Sequence, residues 1–331
     1  MELRQIGASG LQSTPVVFGA WAIGGWLWGG TDDEKAVEGI NAALDAGVNA
    51  IDTAAVYGFG HSERIVGQAI AGRRDQVLVF TKCGLRWDGT PGSHHFDSQT
   101  NDGEPVTITR NLTRDSILFE CEQSLQRLGV DCIDLYQCHW PDPNTPARET
   151  MGALAELLDQ GLIRAIGVSN FTPDMIAECL EHGPVHCSQP KFSLLDRQHL
   201  HGVIAWCAAR DIGTVVYSPM EQGILTGKVT LDRQFAEGDA RTGKPWFQPQ
   251  NLPRALEVIN DVMRPIADRH NCTLAQLTLA WTIAAPGITC ALAGARDADQ
   301  ARENAGAMKV RLSGTEHAEI LAAFEAIGEP Q

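Results

Sequence analysis

Along the chain, short runs rich in β-branched and aromatic residues alternate with segments whose apolar positions recur every three to four residues. The β-rich runs are residues 16–21, 50–53, 77–82, 133–139, 163–169, 186–191, 213–217 and 289–293, which makes eight candidate strands. The segments between them carry helix starts. Thr31 and Glu34 form a capping box ahead of Val37, Ile40 and Leu44, and Gly47 suits the stop. Ile117, Cys121, Leu125 and Leu128 make one stripe that Gly129 ends. Thr145-Pro146 and Thr172-Pro173 each place a capping hydroxyl before a proline at the first helical position. Thr273 with Gln276, Asp297 with Gln300 and Ser313 with Glu316 open three more helices, the last carrying Ile320 and Phe324.

Eight strands alternating with helices imply parallel crossovers, and the count favours closure into a (β/α)8 TIM barrel over an open doubly wound sheet. No Gly-x-Gly-x-x-Gly follows any strand, which counts against a Rossmann half, and Gly223-x-x-x-Gly227-Lys228-Val229 has neither the spacing nor the hydroxyl of a P-loop. A single domain over residues 1–331 is expected. Three parts stand outside the repeat. Residues 1–15 read as a hairpin turning at Gly7 to Gly10 and plugging the bottom of the barrel. Residues 84–111 and 220–252 are long loops after strands three and seven, and loops of that length usually carry function. Residues 313–327 add a C-terminal helix.

Composition narrows the partners. Hydrophobic residues make up 44% and charged residues 20%, ordinary for a globular chain with a large core. With 41 acidic against 26 basic side chains the net charge is −15, a field that repels nucleic acid and anionic membranes but leaves room for a local basic pocket. Nine cysteines without a Cys-x-x-Cys fit a reducing compartment and read as small core hydrophobes. The N-terminus lacks a basic region followed by an apolar stretch, and no apolar run approaches the ~20 residues of a membrane span. A cytoplasmic monomer is expected. His94-His95, His182 with His186, and His199 with His201 lack a third ligand at fitting spacing, so no metal is expected.

A barrel builds its active site at the carboxyl ends of its strands. Asp52 ends strand two, Tyr57 lies in the turn after it, Lys82 ends strand three and His139 ends strand four. Singly, these read as a cap, a solvated lysine or a satisfied core histidine. Together they suit one task. A phenol with a pKa of about 10 releases its proton too reluctantly near neutrality; an adjacent ammonium lowers that pKa, and a carboxylate holds the ammonium. Tyr57 then acts as general acid toward a carbonyl oxygen, with Lys82 as its tuner, Asp52 as the partner of Lys82, and His139 as a donor orienting the carbonyl. Reduction also needs a hydride, which no amino acid supplies, so a cofactor is implied. Trp21, Trp26, Trp28, Phe59, Trp87 and Trp140 all follow barrel strands. Trp21, Phe59, Trp87 and Trp140 are taken as the wall of a substrate pocket, with Phe59 and Trp140 closest in sequence to the catalytic candidates. Cys83 follows Lys82, and strand alternation turns it to the opposite face.

The motifs Asn49-Ala-Ile-Asp-Thr-Ala-Ala-Val-Tyr-Gly58, Phe80-Thr-Lys82, Asp134-Leu-Tyr-Gln-Cys-His139 and Ile166-Gly-Val-Ser-Asn170 resemble, in order and spacing, the successive signatures of the aldo-keto reductases. The resemblance covers nearly the whole chain. It implies a (β/α)8 barrel that binds NADP(H) without a Rossmann fold, with Asp52, Tyr57, Lys82 and His139 as the catalytic tetrad. It implies further that Ser169, Asn170 and Gln189 hold the nicotinamide carboxamide, that Tyr217 stacks on the ring, and that Gly19, Ala20, Trp21 and Asp52 line the same end. Ser218, Pro219, Gln222, Gly223, Leu225, Gly227 and Lys228 would cover the pyrophosphate, and Gly294, Arg296, Gln300, Glu303 and Asn304 would meet the adenosine. Where the mammalian pattern grips the 2′-phosphate with a Lys-Ser pair and a later Arg, this chain has Gly294, Ala295 and Gln300; Arg296, Lys228 and Arg233 are the substitute cations. The segment Gly223 to Lys228, followed by Glu237-Gly-Asp239, together with Gly294-Ala-Arg, Gln300, Glu303 and Asn304, is similar to a bacterial subgroup. That subgroup holds inositol-associated and stress-related reductases and NADP-dependent glycerol dehydrogenases, which implies a short hydroxyaldehyde and its polyol, such as glyceraldehyde and glycerol, as the substrate pair. Two other readings share the fold: a cofactor-sensing partner subunit, and an aldolase-like barrel using Lys82 as a Schiff-base nucleophile.

Overall fold

The computed structural model describes residues 2–235 and 239–331. Its centre is a closed barrel of eight parallel strands: β1 (Val16–Gly19), β2 (Ala50–Asp52), β3 (Leu78–Cys83), β4 (Ile133–Cys138), β5 (Ile163–Ser169), β6 (Cys187–Gln189), β7 (Gly213–Val216) and β8 (Cys290–Gly294). They pair in sequence order, and β8 returns to β1 through Leu292 opposite Val17. All eight strands expected from the sequence are present.

Period-two alternation sorts each strand between two environments. Val17, Ala50, Phe80, Leu135, Ala165, Cys187, Val215 and Cys290 turn inward and fill the barrel. The other set, with Ile51, Val79, Tyr136, Ile166 and Val216 among it, meets the surrounding helices in a second and larger core. Each fully buried large apolar side chain adds roughly 1.5–3 kcal/mol. The bottom of the inner core is closed by the N-terminal hairpin, whose strands Arg4–Gln5 and Gln12–Ser13 pair antiparallel and deliver Ile6 and Leu11 into it. Gly7 at the hairpin turn lies so close to the His186 and Asp211 carbonyls that a Cβ would collide with them.

The helices begin and end for identifiable reasons, two of which differ from expectation. Helix α1 (Asp33–Asp45) is capped by Asp32, whose carboxylate accepts from the Lys35 N–H, and not by Thr31; an anion one residue nearer the helix outcompetes the hydroxyl. Helix α2 spans His61–Ile70, and α3 (Arg114–Leu128) stops at Gly129 with φ of 64°. Helix α4 (Ala147–Asp159) has Pro146 at its N-cap, where no side chain caps; Thr145 stands one residue outside the cap position, with its hydroxyl donating to Asp142. Thr172 caps α5 (Pro173–Leu180) as expected. Capping boxes at Thr273 and Ser313 open the helices Leu274–Ala284 and Gly314–Ile327, and Asp297 caps Ala298–Gly306. Among the described residues, no helix is long and apolar enough to cross a membrane.

The segment 84–111 is not the irregular loop its Gly, Pro, Asp and Asn content suggested. Leu85–Arg86, Ser93–Gln99 and Pro105–Arg110 form a three-stranded antiparallel sheet over the top of the barrel. Ile108 is fully buried beneath it, in a cluster with Trp26, Val56 and Leu85. The other long segment, 220–252, winds through short 3-10 turns at Glu221–Thr226 and Pro245–Phe247. Of the motif Glu237-Gly-Asp239, the first two residues lie outside the described residues.

Candidate active site

The alternation that fills the barrel also delivers its polar groups. Two residues beyond Ala50, Phe80, Leu135 and Cys187 on the same inward faces stand Asp52, Lys82, Gln137 and Gln189. These four replace the apolar layer by a charged and amide layer at the carboxyl ends of the strands. Asp52 is 2% exposed and Lys82 1%. Lys82 Nζ donates to Asp52 Oδ1 at 2.5 Å and to the Thr53 carbonyl at 2.9 Å, and lies 3.4 Å from Tyr57 Oη. Asp52 Oδ2 accepts from Gln189 Nε2 at 2.8 Å and Gln137 Nε2 at 3.2 Å. A buried ion pair repays its desolvation only when its remaining lone pairs are satisfied, and the two glutamines satisfy them. Gln137 was not singled out in the sequence, although it sits two residues before His139 on the same face. Space for it comes from Gly167 on β5, where a Cβ would lie 2.8 Å from Gln137 Cγ.

Tyr57 is placed by the turn between β2 and α2. Its N–H donates to the Ala54 carbonyl and its carbonyl accepts from the Ser62 N–H, both at 3.1 Å. Gly58 follows with φ of 59°, and any Cβ there would run into the Gly24 carbonyl. The turn and the loop after β1 are thus in backbone contact. The Tyr57 and His139 rings meet edge-on with centroids 5.7 Å apart.

Electrostatics corrects one expectation. The Tyr57 phenol is shifted up, not down: burial raises its pKa, the Lys82 ammonium pulls it back, and Asp52 pushes it up again. Burial would lower the Lys82 pKa, but Asp52 and Tyr57 together reverse that, and the ammonium is held charged. His139 is held well below the usual imidazole range by burial, then by Lys82 and His95, so it is a neutral ring with one N–H. At neutral pH the floor therefore offers a protonated phenol, a neutral imidazole and a fixed ion pair. Cys83 points to the outer core, and burial pushes its thiol well up.

Above this floor opens a cleft of about 860 Å³. Asp52, Tyr57 and His139 line it, as do Gly19, Ala20 and Trp21 at the end of β1. Trp21 sits 6.3 Å from the Tyr57 ring and 5.2 Å from Trp28. Trp140 also lines the cleft, whereas Phe59 and Trp87 do not: Phe59 packs behind Trp26 at 5.3 Å and Trp87 behind Phe59 at 5.8 Å. They support the wall without forming its surface. Trp26, Leu27, Trp28, His95 and Phe96 line the cleft instead, the last two from the sheet over the barrel.

The cleft continues past Ser169, Asn170, Gln189 and Tyr217. Asn170 Nδ2 donates to Ser169 Oγ and the His139 carbonyl, and its Oδ1 accepts from Tyr217 Oη at 2.8 Å. Both amide hydrogens are spent, so Asn170 has only an acceptor lone pair left for a bound amide N–H. Beyond them runs the loop after β7, in which Ser218, Glu221 and Gln222 all have positive φ. Glu221 braces it from below by accepting from Lys191 Nζ and Ser193 Oγ. Ser218, Pro219, Gln222, Gly223 and Lys228 line the cleft; Leu225 is buried in the core, and Gly227 packs beneath Leu274. At the far end Gly294, Arg296, Gln300, Glu303 and Asn304 line it together with Arg233. Lys228 bridges to Glu303 at 2.8 Å, Gln300 is tied to Asp297, and Asn304 donates to the Gly294 carbonyl.

These residues fit a nicotinamide dinucleotide. The cleft runs from amide and hydroxyl groups beside the floor to an end that carries Lys228 and Arg296, with Arg233, Arg241 and Lys244 also in its lining, and Gln222 Oε1 in that lining is buried without a partner among the described residues. Among those residues, no group of three or more His, Cys, Asp or Glu is placed to hold a metal.

A phenol kept protonated beside a neutral imidazole, in a cleft suited to a nicotinamide cofactor, is equipment for carbonyl and alcohol interconversion, which is oxidoreductase chemistry. Residues 15–325 match the Aldo/keto reductase family, and the chain belongs to that family of nicotinamide-dependent carbonyl reductases. It is 39% identical over 302 residues to aldo-keto reductase YhdN of Bacillus subtilis (strain 168), covering 91% of this chain and 86% of that one. It is also 39% identical over 319 residues to the NADH-specific methylglyoxal reductase of Escherichia coli (strain K12), covering 95% of each. Among solved structures, the glycerol dehydrogenase AKR11B4 of Gluconobacter oxydans superposes with a TM-score of 0.89 at 33% identity, over 100% of this chain and 97% of that one.

Proposed function

We propose that the chain is an NADP(H)-dependent reductase of aldehyde and ketone carbonyls that acts in both directions, with a short hydroxyaldehyde and its polyol, such as glyceraldehyde and glycerol, as the favoured pair. The observation that carries this reading is the buried Asp52–Lys82 pair placed against Tyr57 Oη, with His139 across the ring. A bound reduced nicotinamide supplies the hydride equivalent that no side chain can. The rest is the work of the chain. Tyr57 Oη donates its proton to the carbonyl oxygen, and the fixed charge of Lys82 stabilises the phenolate left behind. Asp52 holds Lys82 charged and in place. The N–H of His139 fixes the oxygen between itself and Tyr57. Because the Tyr57 pKa is raised, the phenol is loaded with its proton at neutral pH, which suits the reductive direction.

Ser169, Asn170, Gln189 and Tyr217 are the candidates to hold the nicotinamide, and Ser218 to Lys228 the pyrophosphate. Arg296, with Lys228 and Arg233, supports NADP(H) by offering cations to a 2′-phosphate; the E. coli relative, named as NADH-specific, makes the choice worth measuring. The glycerol dehydrogenase and methylglyoxal reductase relatives both carry in their names three-carbon substrates with more than one oxygen, which supports the substrate class. The Schiff-base reading is disfavoured because Lys82 is held charged by Asp52, and an ammonium is no nucleophile. We also propose a cytoplasmic monomer.

The test is oxidation of NADPH and NADH against a panel from glyceraldehyde to aromatic aldehydes, repeated with Tyr57→Phe. Turnover is expected to fall ~10²-fold or more while cofactor binding persists, because the acid is deleted and the ring remains. Unchanged turnover would sink the mechanism.

A further inference from the structure

The sheet over the barrel contains an irregularity that bears on what the cleft accepts. His94 pairs with Thr109 and Phe96 with Ile108, so two steps along one strand meet a single step along the other, and His95 is the extra residue of a β-bulge. In a regular strand, consecutive side chains point to opposite faces. The bulge suspends that rule, and His95 and Phe96 both line the cleft. His94 stays exposed and pairs with Asp97. Bulges re-aim side chains beside active sites, and this one adds a second imidazole to a wall that is otherwise aromatic.

The His95 ring packs among aromatic side chains. Its ring packs 5.1 Å from Trp140, the neighbour of His139, and 5.0 Å from Phe96, which stacks on Trp26. Among the described residues, neither ring nitrogen has a hydrogen-bond partner. Burial, then Arg110 and His94, hold its pKa below the usual value, so at neutral pH it carries one N–H and one acceptor nitrogen. That is the complement of a hydroxyl, which both donates and accepts. A half-buried imidazole that lines a cleft and has no protein partner among the described residues is free to bond a group that arrives from outside.

We infer that His95 is a specificity residue that hydrogen-bonds a second oxygen of the substrate, one or two carbons from the reacting carbonyl, so that the cleft selects oxygenated short aldehydes over their hydrocarbon analogues. The inference rests on the carbonyl-reductase reading above and adds to it the group that recognises the rest of the substrate. Tyr57 and His139 address the oxygen that reacts; His95 addresses one that does not. Trp28 also lines the cleft, and its Nε1, buried without a partner among the described residues, is the rival donor.

The test compares kcat/KM for glyceraldehyde and propanal, equal in carbon count and different in hydroxyls, in the wild type, His95→Phe, His95→Asn and Trp28→Phe. His95→Phe keeps the ring contacts with Trp140 and Phe96 and removes both nitrogens. The glyceraldehyde-to-propanal ratio is expected to fall roughly tenfold, the worth of one neutral hydrogen bond. His95→Asn, which restores a donor and an acceptor, is expected to recover part of it. Because the readout is a ratio within one variant, general damage to the sheet cancels. A ratio unmoved by His95→Phe overturns the inference alone, as does a ratio that moves only with Trp28→Phe. A wild type that reduces aromatic aldehydes but neither of these two overturns the short-hydroxyaldehyde reading and this inference with it; one that reduces no aldehyde overturns the carbonyl-reductase reading as well.

Discussion

Lys82 has three N–H bonds, and Asp52, the Thr53 carbonyl and Tyr57 lie in reach of all three. Removing the ammonium therefore does more than detune a phenol. Lys82→Met leaves the Asp52 carboxylate buried without a counter-charge, and the expected cost is about 3–5 kcal/mol of stability in addition to lost turnover. The double variant Asp52→Asn/Lys82→Met removes both charges and should regain much of that stability in denaturant unfolding while turnover stays lost. If the double variant is no more stable than Lys82→Met, the stranded charge is not what destabilises. Residues of this kind were legible in the sequence because inward-facing positions recur every second residue: Asp52, Lys82 and His139 each end an apolar alternation. Gln137 obeyed the same spacing and was passed over because an amide does not titrate. His95 stood out in the sequence only as half of a histidine pair weighed for a metal, since the bulge breaks the period that would have turned it toward the cleft. The sign of the Tyr57 shift was equally hidden, because it is decided by burial, which sequence spacing does not report.

At the level of elements, α3 does hidden work for the sheet over the cleft. Glu120 accepts the Gly84 N–H with both oxygens, at 3.0 and 3.1 Å, and a bond from Ser116, just where the chain leaves β3 for that sheet. Burial pushes its carboxyl up to about 7 from 4.5, against the opposing pull of Arg86. The unfolded chain releases this proton near 4.5 and the folded chain near 7. Between the two the folded state binds more protons, so the contribution of Glu120 to stability is fully present below 4.5 and is lost as pH rises through about 7. The shift corresponds to about 3 kcal/mol. Glu120→Gln should flatten the pH dependence by that amount when unfolding is measured at about pH 5 and about pH 8; an unchanged slope would place the titration elsewhere. Regular elements of this fold were readable wherever burial imposed a period. The strands of 84–111 were not, because half their side chains face solvent and their turn residues dominate the composition. The caps expected at Thr31 and Thr145 fail for local reasons: Asp32 caps α1 in place of Thr31, and α4 begins one residue further on, at Pro146, with no side-chain cap.

For the molecule as a whole, charge is distributed against its own average. The chain carries −15, yet Lys191, Lys228, Arg233, Arg241, Lys244 and Arg296 line the cleft against Asp52 and Glu303. An acidic exterior with a cationic cleft discourages polyanions at large and admits small ones. Arg296→Ala is expected to weaken NADPH binding roughly tenfold more than NADH binding, by loss of a charge-assisted contact to phosphate, and added salt should narrow the gap between the cofactors. Titration of tryptophan fluorescence with each cofactor at low and high salt would measure both effects. Equal losses for NADPH and NADH would remove Arg296 from cofactor choice.

The N-terminal hairpin closes the bottom of the barrel with Ile6 and Leu11. With that end plugged and the interior filled by inward side chains, the cleft opens at the carboxyl rim. That rim is built of the bulged sheet, the tryptophan loop after β1 and the bridged loop after β7, none of which belongs to the barrel wall. Exchange of cofactor and product is therefore expected to answer to changes in these connecting segments, because loop opening sets the release rate of many enzymes.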